Sequence, residues 1–460
     1  MNGKIRILFY NLDGAGVNYF RTLTPAMEID RNHSDDFYTE INPQLDFNDP
    51  NIIDYLKSFH IIHYHRQFLN DTKQMVRLAD ELRKSGTILI CDIDDYWQLH
   101  KKHPFYGLSV EKKLHIPILE NLKIADYVTT TTNLFAQEIR KVTGKDNVEV
   151  FYNSVDPTWM KQFQNNWKPD PDGLVRITYM AGSSHMVDVE QLDGVMNVLS
   201  NSPELKGKFK VILAGWDTEG NTTDITFNQE FGNELQKRGL WTPQMVKAIN
   251  NSKGNVDALP KLPEDLKNKY RDNVFNYQQR DIKSTESVYL FYENILTNNH
   301  HMITNEDYKQ WLMNFERNVT YPNEGNFARR WTQKANTYAQ VLDETDIVIA
   351  PLADNSFNRM KSNLKQVECW TRKLPIVCSD IPPYNVHGRH MENCILIPAE
   401  KNAHKYWQKY LKRLILDADL RKKLGEQLYE DFKEEYNLAN VTKKRAEFYK
   451  AVVAKTLAVV

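Results

Sequence analysis

The 460-residue chain has only four cysteines, and no two of them form a CxxC pair. That argues against a zinc ribbon and against a disulfide-stapled scaffold. Three of Cys91, Cys369, Cys378 and Cys394 stand in or beside apolar patterns, which points to buried thiols in a reducing compartment. No apolar run approaches the ~18 residues of a membrane span. The opening MNGKIRILFYNLDG reads as a strand leading to a glycine turn, not as a signal peptide. A cytoplasmic protein is therefore expected. An excess of either charge is also missing: 59 Lys and Arg face 60 Asp and Glu, for a net charge of −1. The chain as a whole thus offers no electrostatic footprint for nucleic acid. Glycine and proline, at 18 each, are too few for a collagen-like or disordered chain, and 41% hydrophobic residues supply real cores. The length implies about two or three domains.

Apolar strand patterns alternate with helical ones. In the first third the strand candidates are Ile5–Tyr10, His60–His63, Thr87–Cys91, Tyr127–Thr130 and Val148–Phe151, with helices near Asn18–Glu28, Thr72–Lys84, Glu111–Ile124 and Asn133–Thr143. Such alternation predicts a parallel sheet covered by helices on both faces. The proline-bearing stretch Asp156–Asp172 suits a linker. A second alternation follows, with strands at Arg176–Met180, Phe209–Ala214, Ile347–Ala350, Pro375–Cys378 and Cys394–Ile397. Residues 217–335 break it; this polar, Asn-rich and mostly helical stretch is expected to be an ordered insertion. The expected fold class is α/β, two Rossmann-like domains facing a cleft: residues 1–156, and residues 173–437 carrying the insertion. A C-terminal helical segment, 438–460, would rejoin the first domain.

Ligands of such sheets bind beyond the carboxyl ends of the strands, so the loops there carry the chemistry. Gly14 and Gly16 follow the first strand and let backbone N–H groups approach a ligand, although an ordinary βα turn uses glycine equally. Arg21, one turn on, faces either the cleft or solvent. His63 and His65 end another strand; a metal site, a substrate hydrogen bond and a structural role all fit them, and no partner stands at metal spacing. Asp92, Asp94 and Asp95 crowd a strand end, where their repulsion needs a compensating charge or proton. They suit a catalytic base or a hydroxyl clamp, with a magnesium-binding DxD as the rival use. Gly182, Ser183, Ser184 and His185 open a helix as an anion cradle, or as a plain N-cap. Lys361, Lys365 and Glu368, at spacings of four and three, are read as one helix stripe aimed at a crevice that would hold a phosphate with a sugar beside it. A solvated face with a weak ion pair is the bland alternative.

Several of these segments resemble the GT-B retaining glycosyltransferases of family 4 (glycosyl transferases group 1). Ala125-Asp126-Tyr127-Val128-Thr129, Asn153-Ser154-Val155-Asp156, the Gly182 loop and Leu364–Asp380 resemble that family's blocks in order and spacing. The resemblance implies a nucleotide-sugar donor on the second domain, an acceptor on the first, retention of configuration and no required divalent metal or other cofactor. It places Glu368 on the family's ribose-binding glutamate. Two departures stand out. Met360 replaces the first acid of the paired-glutamate motif, and the usual phosphate clamp is missing near Gly182. Arg359, Lys361 and Lys365 are therefore the candidates for neutralising the diphosphate. Asp92, Asp94, Asp95 or His65 would orient or deprotonate the acceptor hydroxyl. The acceptor is expected to be a glycan or a lipid-linked saccharide. The alternatives are a hydroxymethylated base in DNA, with Arg329, Arg330, Trp331 and Lys334 as a small basic cluster, a sugar-nucleotide epimerase, and a non-catalytic binding module.

Overall fold

The architecture was read from a computed structural model of the chain. It describes residues 3–11, 18–43, 45–103, 105–158, 172–181, 185–214 and 338–458, and short stretches at 226–227, 229–240, 242, 245, 256, 259, 261–270, 275–276 and 327–330. The expected glycine loops, Gly14 with Gly16 and Gly182 to Ser184, lie outside the described residues, as do Trp331 and Lys334.

Strands β1 (Ile5–Tyr10), β2 (Phe37–Ile41), β3 (Ile61–His65), β4 (Ile88–Ile93), β5 (Tyr127–Thr130) and β6 (Val148–Val150) form one sheet in the order β2-β1-β3-β4-β5-β6. All of its pairings are parallel. The central strands β3 and β4 are buried along their whole length. That is why they read as continuous apolar runs and not as alternating ones. The strand β2 was not anticipated: it is an edge strand of Phe-Tyr-Thr-Glu-Ile with only its first residue buried, so its apolar signal is weak.

A second parallel sheet begins with β7 (Val175–Met180) and β8 (Phe209–Ala214). Between them and the rest of that sheet, a short antiparallel pair, β9 (Thr226–Phe227) and β10 (Phe275–Asn276), belongs to a separate compact unit. That unit has its own apolar cluster, including Phe231, Leu235, Leu259, Leu266 and Tyr270. The second sheet is completed by β11 (Phe327–Arg330), β12 (Ile347–Ala350), β13 (Ile376–Ser379) and β14 (Ile395–Ile397) in the order β11-β8-β7-β12-β13-β14. The edge strand β11 was also unexpected; Arg329 and Arg330 pair their backbone with Leu213 and Ala214.

Each sheet reverses its winding once, between β1 and β3 in the first and between β7 and β12 in the second. Ligands of doubly wound sheets sit outside the strand ends at such points. The helix Leu438–Leu457 leaves the second sheet and returns to the first. Its Ala446, Tyr449, Val452 and Val453 pack with Ile7, Phe9 and Ile90. Backbone bonds anchor its start to the crossover segment: Val155 N–H donates to Tyr436 O at 3.1 Å and Leu438 N–H to Val155 O at 3.0 Å.

Candidate active site

The loops that follow the strands of the two sheets meet. Beyond β4, Lys102 Nζ lies 3.3 Å from the Glu190 carboxylate, which follows β7. The ring of His103 packs 5.5 Å from that of Phe357, which follows β12. At the crossover, Asn153 Nδ2 donates to Ser362 Oγ at 2.8 Å. The strand ends of both sheets therefore line one crevice.

On the second sheet, Asp188 is the organising residue. It is buried, and it ties the loop after β7 to the loop after β12. His185 Nδ1 donates to its Oδ2 at 2.7 Å. Ala353 N–H and Asn358 Nδ2 donate to its Oδ1 at 2.7 and 2.6 Å. Ser379, at the end of β13, accepts from Leu352 N–H at 2.9 Å and fixes the start of the same loop. Burial and the nearby Lys361 charge lower the pKa of His185. The loops are thus pre-set around Asp188, with a backbone and amide framework already satisfied.

Lys361 is not on a helix stripe with Lys365 and Glu368. The turn Ser356–Arg359, capped by Asn355, ends at Met360, and the next helix begins at Leu364. Lys361 stands in the bend between them, its Nζ 4.9 Å from the centre of the Phe357 ring. The interruption has a physical source in the run of residues 355–363. Asn355 caps the turn, and the short side chains of Asn358, Ser362 and Asn363 are held by Asp188, Asn153 and Tyr436 from elsewhere in the fold. Arg359 is not brought to the cluster either: its guanidinium holds Asp354 through Nε at 2.5 Å and NH2 at 2.8 Å. Met360, in place of the family's acid, packs against the core of the first sheet. It is an apolar contact across the crevice.

Glu368 is fully buried, and both carboxylate oxygens are already engaged. Tyr338 O–H donates to Oε1, and Lys365 Nζ donates to Oε2 at 2.9 Å. Burial, reinforced by this carboxylate, raises the pKa of Tyr338 well above the ordinary phenol value. The expected ribose contact at Glu368 would therefore require Tyr338 to move aside.

On the first sheet, the carboxylates divide into two kinds. Asp92 lies inside β4, not beyond it, and is fully buried. Arg21 grips it from both guanidinium ends, Nε to Oδ2 at 2.9 Å and NH2 to Oδ1 at 2.6 Å, and Thr129 Oγ1 adds a 2.5 Å bond. Burial alone would raise its pKa, but the Arg21 charge overrides this and holds it below the usual carboxylate range. Asp92 is therefore a structural anion closed to any acceptor, and Arg21 faces neither cleft nor solvent. The π-helical turn Tyr19–Leu23 is what delivers it there. Asp94 binds His65 Nε2 at 3.0 Å and Arg66 NH2 at 3.0 Å. Burial pushes the Asp94 pKa up, and Arg66 with the His65 bond more than offsets it. The His65 side chain is 2% exposed and that of Asp94 12%, against 33% for Asp95, which Arg66 also holds at 3.0 Å. Of the three carboxylates, Asp95 is the one open to a substrate. His63 Nε2 lies 3.3 Å from Thr129 Oγ1, and among the described residues no group of three metal-ligating side chains is assembled.

Four residues of this site were not singled out from the sequence: His100, His103, Asp188 and Tyr338. Burial pushes the His103 pKa down to about 4, helped by His100, Lys361 and His185 and opposed by Asp95. His103 stands at the meeting of the two sheets' loops, its ring packed on Phe357. The His-Lys-Lys-His spacing at 100–103, directly after a carboxylate cluster, was the one available signal.

No family model and no curated protein matches this chain. Solved structures do match it. A sucrose-phosphate synthase from Thermosynechococcus elongatus superposes with a TM-score of 0.55 at 10% identity, covering 99% of this chain and 100% of that one. A glycosyltransferase from Rickettsia africae gives 0.51 at 12% identity over 98% and 99%. HepE from Anabaena, in complex with UDP and glucose, gives 0.51 at 10% identity over 97% and 100%. At these identities the likeness establishes the fold: the chain has the GT-B architecture of two Rossmann-like sheets.

Proposed function

We propose that this protein is a glycosyltransferase that moves a sugar from a nucleotide-sugar donor to an acceptor hydroxyl, with retention of configuration. The observation that carries the reading is the Asp188-tied pair of loops at the winding reversal of the second sheet, with His185 and Lys361 beside it. A leaving diphosphate develops charge in the transition state, and preorganised cations and donors in a partly dry crevice stabilise that charge most. Lys361 is the cation in position for this, with the His185 loop beside it. Glu368 accepts from the ribose after Tyr338 swings away. The solved HepE complexes with UDP and UDP-glucose support a uridine diphosphate sugar as the donor class. No divalent metal is required in this reading, because Lys361 takes the charge. Asp95, across the crevice, orients the acceptor hydroxyl.

The test is a thermal-shift and hydrolysis panel of nucleotide sugars with the purified chain. A true donor raises the melting temperature by ligand linkage and is slowly hydrolysed. A panel in which no nucleotide sugar does either sinks the reading.

A further inference from the structure

Five of the fourteen exposed large hydrophobic residues among those described fall within twelve consecutive positions: Phe105 at 55%, Leu108 at 45%, Val110 at 53%, Leu114 at 42% and Ile116 at 44%. Singly exposed apolar side chains are ordinary, but such clusters on a protein surface mark a docking site. They occupy the helix Tyr106–Glu111, the turn after it and the start of the helix His115–Ile124. Lysines accompany them: Lys101, Lys102, Lys112 and Lys113 are all exposed, and Glu111 is the only acid from 101 to 116. Lys102 reaches Glu190 across the crevice and His103 packs on Phe357, so the patch borders the mouth of the proposed active site.

We propose that the 105–116 segment docks on an anionic lipid surface, so that the acceptor is presented at that surface as a lipid-linked molecule. The second clause rests on the transferase reading above; the first does not. Charge complementarity selects the occupant. Aliphatic and aromatic side chains ringed by lysines suit the boundary of a bilayer, where lysine stems lie along apolar surface and their ammonium groups meet lipid phosphates. Protein hot spots favour Trp, Tyr and Arg, and DNA readers favour arginine forks. The segment has no arginine and no tryptophan, and its one tyrosine, Tyr106, is half-buried. It does not need to span the bilayer, and no helix among the described residues is long and apolar enough to do so.

The experiment is vesicle co-sedimentation of the full chain. Phosphatidylcholine vesicles are compared with phosphatidylcholine–phosphatidylglycerol vesicles at low and high salt. Two double variants are run beside it, Leu108→Ser with Val110→Ser and Lys112→Gln with Lys113→Gln. All four side chains are exposed, so the melting temperature should hold, and it is measured. The expected result is salt-sensitive partitioning onto the anionic vesicles, weakened about tenfold or more by each double variant, with nucleotide-sugar binding unchanged. A chain that ignores anionic vesicles, or variants that partition like the parent, overturn the proposal. So does a chain that retards duplex DNA and leaves vesicles alone. Vesicle binding by a chain that binds no nucleotide sugar supports the docking surface and overturns only the transferase reading.

Discussion

Asn358 Nδ2 donates to Asp188 Oδ1 at 2.6 Å, a bond between residues 170 positions apart. It closes the crevice floor by joining the loops on either side of the winding reversal. The same oxygen also accepts from Ala353 N–H, and His185 takes the other oxygen. Replacing Asp188 by Asn keeps one acceptor for the first two donors but turns an amide toward His185 Nδ1. Donor affinity is expected to fall about tenfold, while the denaturant midpoint falls by no more than about 1–2 kcal/mol equivalent. Isothermal titration with the donor and urea unfolding measure the two effects. A fall in stability with donor affinity unchanged would make Asp188 a stability residue only.

Lys361 and Arg359 stand two positions apart, and their roles separate cleanly. Lys361→Ala should lower kcat/KM by about a hundredfold or more, the scale of losing one transition-state charge partner. Arg359→Ala breaks an exposed pair with Asp354 and should leave turnover within a few-fold. Steady-state kinetics on the two variants decide it, and the reverse ranking would move the diphosphate to Arg359.

In the proposed reading, Tyr338 competes with the ribose for Glu368. Tyr338→Phe frees Oε1, so donor Kd should tighten by about fivefold, the worth of roughly 1 kcal/mol from one displaced hydrogen bond. Glu368→Gln should weaken it. Unchanged affinity in both variants would show that the ribose binds elsewhere.

His103 gives a pH dependence with a defined sign. Its pKa in the folded chain is about 4, below the ordinary histidine value. The unfolded chain therefore binds its proton first. Stability from keeping His103 neutral is complete above about pH 6.5 and declines as the pH falls from there toward 4. Urea midpoints between pH 7.5 and 5 should drop in the parent and drop less in His103→Gln. Parallel curves would assign the acid sensitivity to other groups.

Gly425 tests how tightly the second sheet is covered. It lies in the helix Ala418–Phe432, and a Cβ there would meet the Lys373 backbone carbonyl oxygen at 1.8 Å. Gly425→Ala gains helix propensity worth about 1 kcal/mol. The forced separation should cost about 3 kcal/mol, the scale of overpacking a core. A clear fall in the melting temperature is expected, and a rise would mean that the helix shifts freely.

Much of the scaffold was legible in the sequence because buried parallel strands leave long apolar runs. Tyr127–Thr130, Phe209–Ala214 and Ile347–Ala350 emerge at the expected residues, as do the helices Thr72–Lys84 and Asn133–Thr143. The edge strand β2 was hidden because it buries only its first residue and carries a diluted pattern, and β11, Phe-Ala-Arg-Arg, has too few apolar residues to read as a strand. The helix expected to hold Lys361 failed because spacings of four and three say nothing about side chains that divert the backbone at Asn358, Ser362 and Asn363. The acidic cluster was found but misread: three adjacent carboxylates look alike in sequence, and only Arg21, from 71 positions upstream, makes Asp92 inert.

Composition and hydrophobic periodicity alone determined that this protein has two parallel sheets covered by helices. Those features depend on local spacing. Which groups face each other was decided by tertiary structure, since Asp188 is tied to Ala353 and Asn358 from far along the chain and Glu368 to Tyr338. Burial and ion pairing are set by what packs across the crevice, and no window of sequence contains both sides of it.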